Sequence, residues 1–101
     1  MQIVWTKQAI TDLAEIEVYI EQDKPLAAER VAAHLLSSVE HLAEFPHLGR
    51  QGRRPRTREL VIPPYVITYR LHAQHLEILS VWHGRRLRKW NQRVRRKPRS
   101  P

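Results

Sequence analysis

The sequence predicts an α+β domain with the element order β-α-α-β-β-β, in which a helix hairpin packs on one face of a small, twisted, mainly antiparallel sheet. Residues 7–44 carry apolar side chains at helical spacing, whereas β-branched and aromatic residues dominate positions 57–83. A length of 101 residues and a hydrophobic content of 42% suit one domain with one modest core. A sheet of this size must cover one apolar face, and the helix hairpin is the only cover that the sequence offers. The other face is then open to solvent or to a partner.

A short strand and an amphipathic helix open the chain. Residues 2–5 form an apolar strand, and Thr6 follows as a good N-cap because its hydroxyl can accept a bond from a free amide of the first helical turn. The first helix is predicted from residue 7 to about residue 22. Its positions at helical spacing are predicted to face the sheet: Ile10, Leu13, Ile16 (or Glu17) and Ile20.

The second helix is predicted over residues 25–44, since Pro25 suits a first helical position and no later glycine or proline interrupts the segment. One face carries the apolar positions Ala28, Val31, Leu35, Val39 and Leu42. Two amphipathic helices with so short a connection form an antiparallel hairpin.

Three strands follow a loop. Residues 46–56 are rich in glycine, proline and arginine, which predicts an irregular segment that ends in a basic stretch. Strands are predicted over residues 57–62, 65–71 and 76–83, and residues 72–75 form the hairpin loop before the last of them.

Charge is distributed very unevenly. The formal net charge is +8 and the isoelectric point about 10.8, yet residues 1–44 hold eight acidic side chains against three Lys or Arg. Residues 84–101 hold nine Lys or Arg and no acid. This asymmetry indicates a polyanionic partner, and the alternative is a disordered solubilising tail. We therefore predict a domain over residues 1–86 and a basic C-terminal extension over residues 87–101.

Several classes of site are excluded at this stage. The chain has no cysteine, so it has no disulfide framework and no thiolate zinc site, and no run of about 18 apolar residues would cross a membrane. The N-terminus lacks the pattern of a signal peptide, and we expect a cytoplasmic protein. His72 and His75 lack the further ligands that zinc needs, and no nucleotide-binding glycine loop is present, so we expect neither metal nor cofactor.

Five sequence blocks, in this order and spacing, resemble the RelE/ParE toxin superfamily over roughly residues 2–86, with closer similarity to the ParE branch. They are Asp12-Leu13 with Tyr19-Ile20, the block 45–50 (FPHLGR), the block 58–61 (RELV), the block 65–70 (YVITYR) and the block 76–86 (LEILSVWHGRR). The resemblance implies a growth-inhibiting toxin that is neutralised by a cognate antitoxin wrapped around it. RelE-like members enter the ribosome and cut mRNA, whereas ParE-like members block DNA gyrase on the same fold.

Metal-free RNA cleavage needs groups that move protons and stabilise the phosphorane charge. RelE-like proteins commonly place an arginine three residues before a tyrosine in the middle strand, and alignment on Tyr69 puts Val66 at that position. Since valine can do neither task, this departure disfavours a nuclease. Enzyme activity stays open, because four residues could serve a RelE-like site: Arg70, His83, Arg85 and Arg86. The structural alternative for Arg70 and His83 is a hydrogen-bonded sheet edge that positions the tail.

The residues predicted to bind the target lie at the ends of the last two strands and in the basic segment. They are Arg70, His83, Arg85, Arg86, Arg88, Lys89 and Trp90, because an aromatic side chain among cations can anchor a protein or nucleic-acid surface. In the alternative interpretation, Trp90 folds back over the sheet. The expected partners are an acidic antitoxin and DNA gyrase, or else the ribosome with mRNA, with operator DNA reached only through the antitoxin. A non-catalytic nucleic-acid-binding module is a third possibility, since basic composition alone fits it.

Overall fold

The structure, a computed structural model, describes residues 1–84. The elements in chain order are β1 (Gln2–Trp5), α1 (Lys7–Glu21), α2 (Pro25–Glu44), β2 (Arg50–Gln51), β3 (Arg58–Ile62), β4 (Tyr65–Leu71) and β5 (His75–His83). This is the predicted order with one addition, the two-residue strand β2, which falls inside the predicted loop. The predicted boundary at residues 86 and 87 lies outside the described residues.

Local signals set both helices. Thr6 caps α1 as predicted, because its hydroxyl accepts a hydrogen bond from the amide of Ala9 at 3.1 Å and donates one to the carbonyl of Ile78 at 2.8 Å. Pro25 occupies the start of α2. The prediction that Ile10 faces the sheet is wrong: its side chain is 56% exposed, and Ala9 is buried in its place. Neither helix has the length and apolarity that crossing a bilayer requires within residues 1–84.

The sheet has the strand order β1-β5-β4-β3-β2. The strand β1 runs parallel to β5, and the other neighbours are antiparallel, which confirms a mainly antiparallel sheet. Along β4 and β5 the pairing passes from Thr68 opposite Ser80 to Tyr69 opposite Ile78, so one residue of β5, Leu79, bulges out of the ladder. Two strand starts differ by one residue from the prediction: β3 begins at Arg58 and β5 at His75.

The core lies between the sheet and the two helices. Both α1 and α2 contribute to it, and the central strands supply its largest fully buried side chains, among them Tyr69 and Ile67. Along β4 the core positions alternate: Tyr65, Ile67 and Tyr69 belong to the buried cluster, and Leu71 packs against it. The residues between them therefore point away from the helices. Helices on one side and a free face on the other agree with the predicted architecture.

Candidate functional site

We call the sheet surface that points away from the helices the open face. Strand alternation and the pairing register assign residues to it, among them Val4, Arg50, Glu59, Val61, Val66, Thr68, Arg70, Glu77, Ser80 and Trp82. These ten residues form three rows across the strands: an apolar row, a polar middle row, and a third row in which Arg70 and Glu77 lie next to Val4. Each row presents a different chemistry to a partner.

The apolar row consists of Val61, Val66 and Trp82, which are neighbours in the pairing register. Val66 is only 6% exposed, whereas Val61 at the outer position is 44% exposed. The indole nitrogen of Trp82 donates a hydrogen bond to the hydroxyl of Thr68 at 3.2 Å, and this bond joins the apolar row to the next one. Aromatic and aliphatic surface beside polar groups is typical of the centre of a protein interface.

The middle row contains an ion pair that sequence analysis missed. Both Nε and Nη2 of Arg50 donate to one carboxylate oxygen of Glu59, at 3.2 and 3.0 Å. Glu59 is buried, with 7% of its surface exposed, and lies directly opposite Thr68. No signal in the sequence predicted this pair, because it depends on the two-residue strand β2. The open face is therefore mixed in charge rather than uniformly cationic.

Arg70 is the predicted site residue that lies on the open face. Its Nε atom is buried and has no hydrogen-bond partner within the described part of the chain. The residue directly across the ladder is Glu77, but the Oε1 atom of Glu77 pairs with Nε2 of His72 at 2.8 Å. Since an unpaired buried donor costs free energy, Arg70 is poised to gain from an acceptor that a partner supplies.

His83 lies on the other face. It pairs with Tyr65 in the ladder, and the two rings meet edge to face with centroids 5.3 Å apart. Arg70 is five residues from Tyr65 along β4, which corresponds to about 17 Å of strand. The structure therefore does not bring Arg70 and His83 together. The other predicted site residues lie outside the described residues: Arg85, Arg86, Arg88, Lys89 and Trp90.

Tyr69 anchors the loop that joins α2 to the sheet. Its side chain is fully buried, and its hydroxyl accepts a hydrogen bond from the amide of Gly49 at 2.9 Å and donates one to the carbonyl of Pro46 at 2.8 Å. Burial raises the pKa of Tyr69 above 10.0, against the opposing effects of the Gly49 bond and the charge of Arg58. Arg58 also donates to the carbonyl of Gly49 at 2.7 Å. Tyr69 therefore has a structural role, because its hydroxyl proton is donated to the carbonyl of Pro46.

Asp12 fastens α1 to the bulged strand. One carboxylate oxygen accepts the backbone amide of Val81 at 3.0 Å, and the other accepts from the side chain of Gln8 at 2.8 Å. Burial raises the pKa of Asp12 above 3.8, and the bonds from Val81 and Gln8 oppose that shift. This carboxyl is thus a link between helix and sheet.

His72 and His75 stack on each other in the last hairpin, with ring centroids 4.3 Å apart and planes 14° from parallel. Within residues 1–84, no group of three His, Cys, Asp or Glu side chains is arranged to hold a metal ion. The stacking and the bond from His72 to Glu77 give this pair a role in the hairpin itself.

Comparison with known proteins places the chain among toxins of bacterial toxin–antitoxin systems. The family model described as the ParE toxin of the type II toxin–antitoxin system parDE matches residues 3–88. The protein Y4kP of Sinorhizobium fredii is 48% identical over 85 residues, which cover 82% of this chain and 88% of that protein. Toxin RelE2 of Caulobacter vibrioides is 41% identical over 86 residues, which cover 85% of this chain and 98% of the relative.

Two solved structures share the fold. The chromosomal ParDE system of P. aeruginosa superposes with a TM-score of 0.75 at 23% identity, covering 82% of this chain and 95% of that one. The RelBE2 toxin–antitoxin complex of Mycobacterium tuberculosis gives a TM-score of 0.63, also at 23% identity, covering 81% and 95%. Both comparisons agree with two helices on a five-stranded mixed sheet.

Proposed function

The chain belongs to the family of ParE toxins of type II toxin–antitoxin systems, and from that membership we propose that it stops growth by inhibiting DNA gyrase. Residues 1–86 form the toxin domain in this proposal, and residues 87–101 form a basic extension that helps to hold the target. The toxin acts as a binding protein and needs neither metal nor cofactor for this inhibition.

The observation that carries the proposal is the separation of the groups that RNA cleavage would need. Val66 stands at the position of the RelE-like arginine and is buried. The hydroxyl of Tyr69 is engaged with the loop at Pro46 and Gly49. Arg70 lies on the face opposite to His83. Proton transfer requires an acid and a base within hydrogen-bond reach of the reacting atoms, so this arrangement favours binding over catalysis.

The proposed contact surface is the open face around Arg70. A target carboxylate or phosphate would satisfy the buried Nε of Arg70. The exposed parts of Val61 and Trp82, two rows away on the same face, would add apolar area to the contact. In the proposal, the segment that contains Arg85, Arg86, Arg88, Lys89 and Trp90 extends the contact beyond the end of β5, and His83 contacts the target from the helix side of the sheet, where it lies beside Tyr65.

Neutralisation by an acidic antitoxin follows from the family and from charge. The solved neighbours are a ParDE system and a RelBE complex. Residues 1–84 of this chain hold nine Lys or Arg against ten Asp or Glu, a net charge of −1, so the positive charge resides in residues 85–101, which carry +9. An acidic antitoxin segment that covers this region would mask the extension and the end of the open face together. The other end of the antitoxin would then bring the complex to operator DNA.

The test is a gyrase supercoiling assay with the purified full chain and its variants. Arg70→Ala is expected to raise the inhibitory concentration about 30-fold, since loss of a buried arginine at an interface centre costs about 2 kcal/mol. Arg30→Ala removes an equal charge from the exposed side of α2 and is expected to inhibit like the parent protein. Deletion of residues 87–101 is expected to abolish inhibition. Full inhibition by both Arg70→Ala and the truncated chain would contradict the proposed surface.

A RelE-like, ribosome-dependent mRNA endonuclease is the second candidate. One observation favours it: an arginine with an unsatisfied buried donor on an open face could stabilise a phosphorane. In that case Arg85 and Arg86 would hold the phosphate and His83 would transfer a proton, and the separation of His83 from Arg70 counts against this candidate. Addition of the protein to a translating extract, with primer extension on the mRNA, would reveal cuts. Silence in both assays would leave a non-catalytic nucleic-acid-binding module.

A further inference from the structure

The connection between β2 and β3 is densely basic. Residues 50–58, which we call the arginine hairpin, contain five arginines and no acidic residue. Two of the five are committed, because Arg50 pairs with Glu59 and Arg58 donates to loop carbonyls. The remaining three are exposed and make no ion pair or hydrogen bond through their side chains to any residue of the described part: Arg53, Arg54 and Arg56.

The backbone of this hairpin is fixed by internal hydrogen bonds. The amide of Gly52 donates to the carbonyl of Thr57 at 2.8 Å, and the Thr57 hydroxyl donates to the carbonyl of Arg54, also at 2.8 Å. Thr57 is buried at 2% exposure, and a side chain at position 52 would collide with its hydroxyl. Arg56 adopts the left-handed conformation with φ of 60°. The three free guanidinium groups are thus presented from one ordered turn.

We propose that the arginine hairpin binds the phosphodiester backbone of a nucleic-acid duplex through Arg53, Arg54 and Arg56, without reading the bases. All three cations are arginines, whose planar forks match the paired oxygens of a phosphate. The proposal does not depend on gyrase as the target, and it gives the chain a direct contact with nucleic acid besides the one made through an antitoxin.

A phosphate backbone fits this hairpin better than an acidic protein segment does. A segment that folds as it binds must bury apolar area to offset its loss of conformational entropy. Between residues 50 and 58 the only apolar side chain is that of Pro55. Phosphate groups need only cationic partners, and a duplex releases condensed counterions when the protein binds it. A turn that carries only arginines is therefore sufficient to bind a phosphate backbone.

The experiment measures binding of the full chain to short DNA and RNA duplexes of the same mixed sequence as salt is varied. Log affinity falls as log salt rises, and each arginine that contacts a phosphate makes this slope steeper by about 0.9. The triple variant Arg53→Ala, Arg54→Ala, Arg56→Asn is therefore expected to make that slope shallower by about 2.7. Over a fourfold rise in salt, the parent protein is expected to lose about 40-fold more affinity than the variant. Asparagine is used at position 56 because it tolerates the left-handed conformation.

The matched control removes three cations from the helices: Lys7→Ala, Lys24→Ala, Arg30→Ala. It has the same net charge as the hairpin variant and is expected to keep the parent slope. Thermal unfolding of each variant checks the fold, and single substitutions with an expected drop of about 0.9 each replace any variant that unfolds. A shallower slope on either duplex supports the backbone contact. A shallower slope on one duplex alone identifies DNA or RNA as the partner.

Two results would overturn the proposal. One is an equal drop in slope for the hairpin variant and the helix control. The other is an unchanged duplex slope in the hairpin variant, and a loss of binding to poly-glutamate in that variant would then assign the hairpin to an acidic protein. Arg53→Lys, Arg54→Lys, Arg56→Lys is expected to keep the slope, since lysine also releases counterions.

Discussion

Replacement of Tyr69 by phenylalanine tests whether one hydroxyl holds the loop between α2 and the sheet. The substitution keeps the buried ring and removes two hydrogen bonds, the one accepted from Gly49 and the one donated to Pro46. The amide of Gly49 is then buried without a partner, which costs about 1–3 kcal/mol, and the exchange of the second bond adds about 0.5–1.5 kcal/mol. We expect a net loss of about 2–3 kcal/mol in the free energy of unfolding.

Urea denaturation of the purified variant measures this loss. For a small protein the urea dependence is about 1–3 kcal/mol per molar, so the midpoint is expected to fall by about 1–2 M. A domain of this size loses about 4–8 °C of thermal midpoint for each kcal/mol, which predicts a drop of about 10–20 °C. The amide of Gly49 is also expected to exchange with deuterium faster than in the parent protein.

Alkaline pH gives an independent readout. Because burial raises the pKa of Tyr69 in the folded protein above its unfolded value of 10.0, the protonated hydroxyl favours the folded state. That contribution is complete below pH 10 and is lost as the pH rises through the folded pKa. The parent protein should therefore lose stability in this range more steeply than Tyr69→Phe does.

The control is Thr68→Val, which removes a hydrogen-bond acceptor on the opposite face of the same strand. Its partner, the indole nitrogen of Trp82, is only part-buried and can turn to water, so a cost below about 1 kcal/mol is expected. If Tyr69→Phe is as stable as Thr68→Val, with an unchanged exchange rate at Gly49, the anchoring role of Tyr69 is refuted.

Further substitutions at Asp12 and Gly49 test the links that position the site. Asp12→Asn keeps an acceptor for the amide of Val81 and removes the part-buried charge. Because burial raises the pKa of Asp12 in the folded protein, this carboxyl stabilises the fold below about pH 4, and that stabilisation is lost as the pH rises through the folded pKa. At pH 7 the variant is therefore expected to match or exceed the parent protein in stability. Asp12→Ala leaves that amide unpaired and should cost about 1–3 kcal/mol in urea denaturation, and equal stability of the Asn and Ala variants would contradict the link. Gly49→Ala would place a methyl group 2.8 Å from the ring of Tyr69 and 2.9 Å from the carbonyl of Glu59, so a loss of about 1–3 kcal/mol is expected. The double variant with Tyr69→Phe should lose less than the sum of the two single losses, since both act on one contact, and full additivity in a double-mutant cycle would argue against that.

The sequence alone was sufficient for the parts of this protein that depend on near neighbours along the chain. Thr6 as a cap, Pro25 at a helix start and the apolar spacing of α2 act within one or two helical turns, and alternation along β4 placed Arg70 with Val66 on one face. The element order and the family resemblance then led to the toxin superfamily.

Tertiary structure decided what depends on residues far apart. The rotation of α1, which buries Ala9 and exposes Ile10, is set by packing against the rest of the fold, and periodicity alone does not fix it. The pair of Arg50 with Glu59 exists only because β2 joins the edge of the sheet. The bond between Tyr69 and Gly49 spans 20 residues, and the pairing register of β4 with β5 puts His83 on the helix side. Such contacts are formed by chain closure over long loops, so they leave no local pattern in the sequence, and only the folded arrangement reveals which side chains meet.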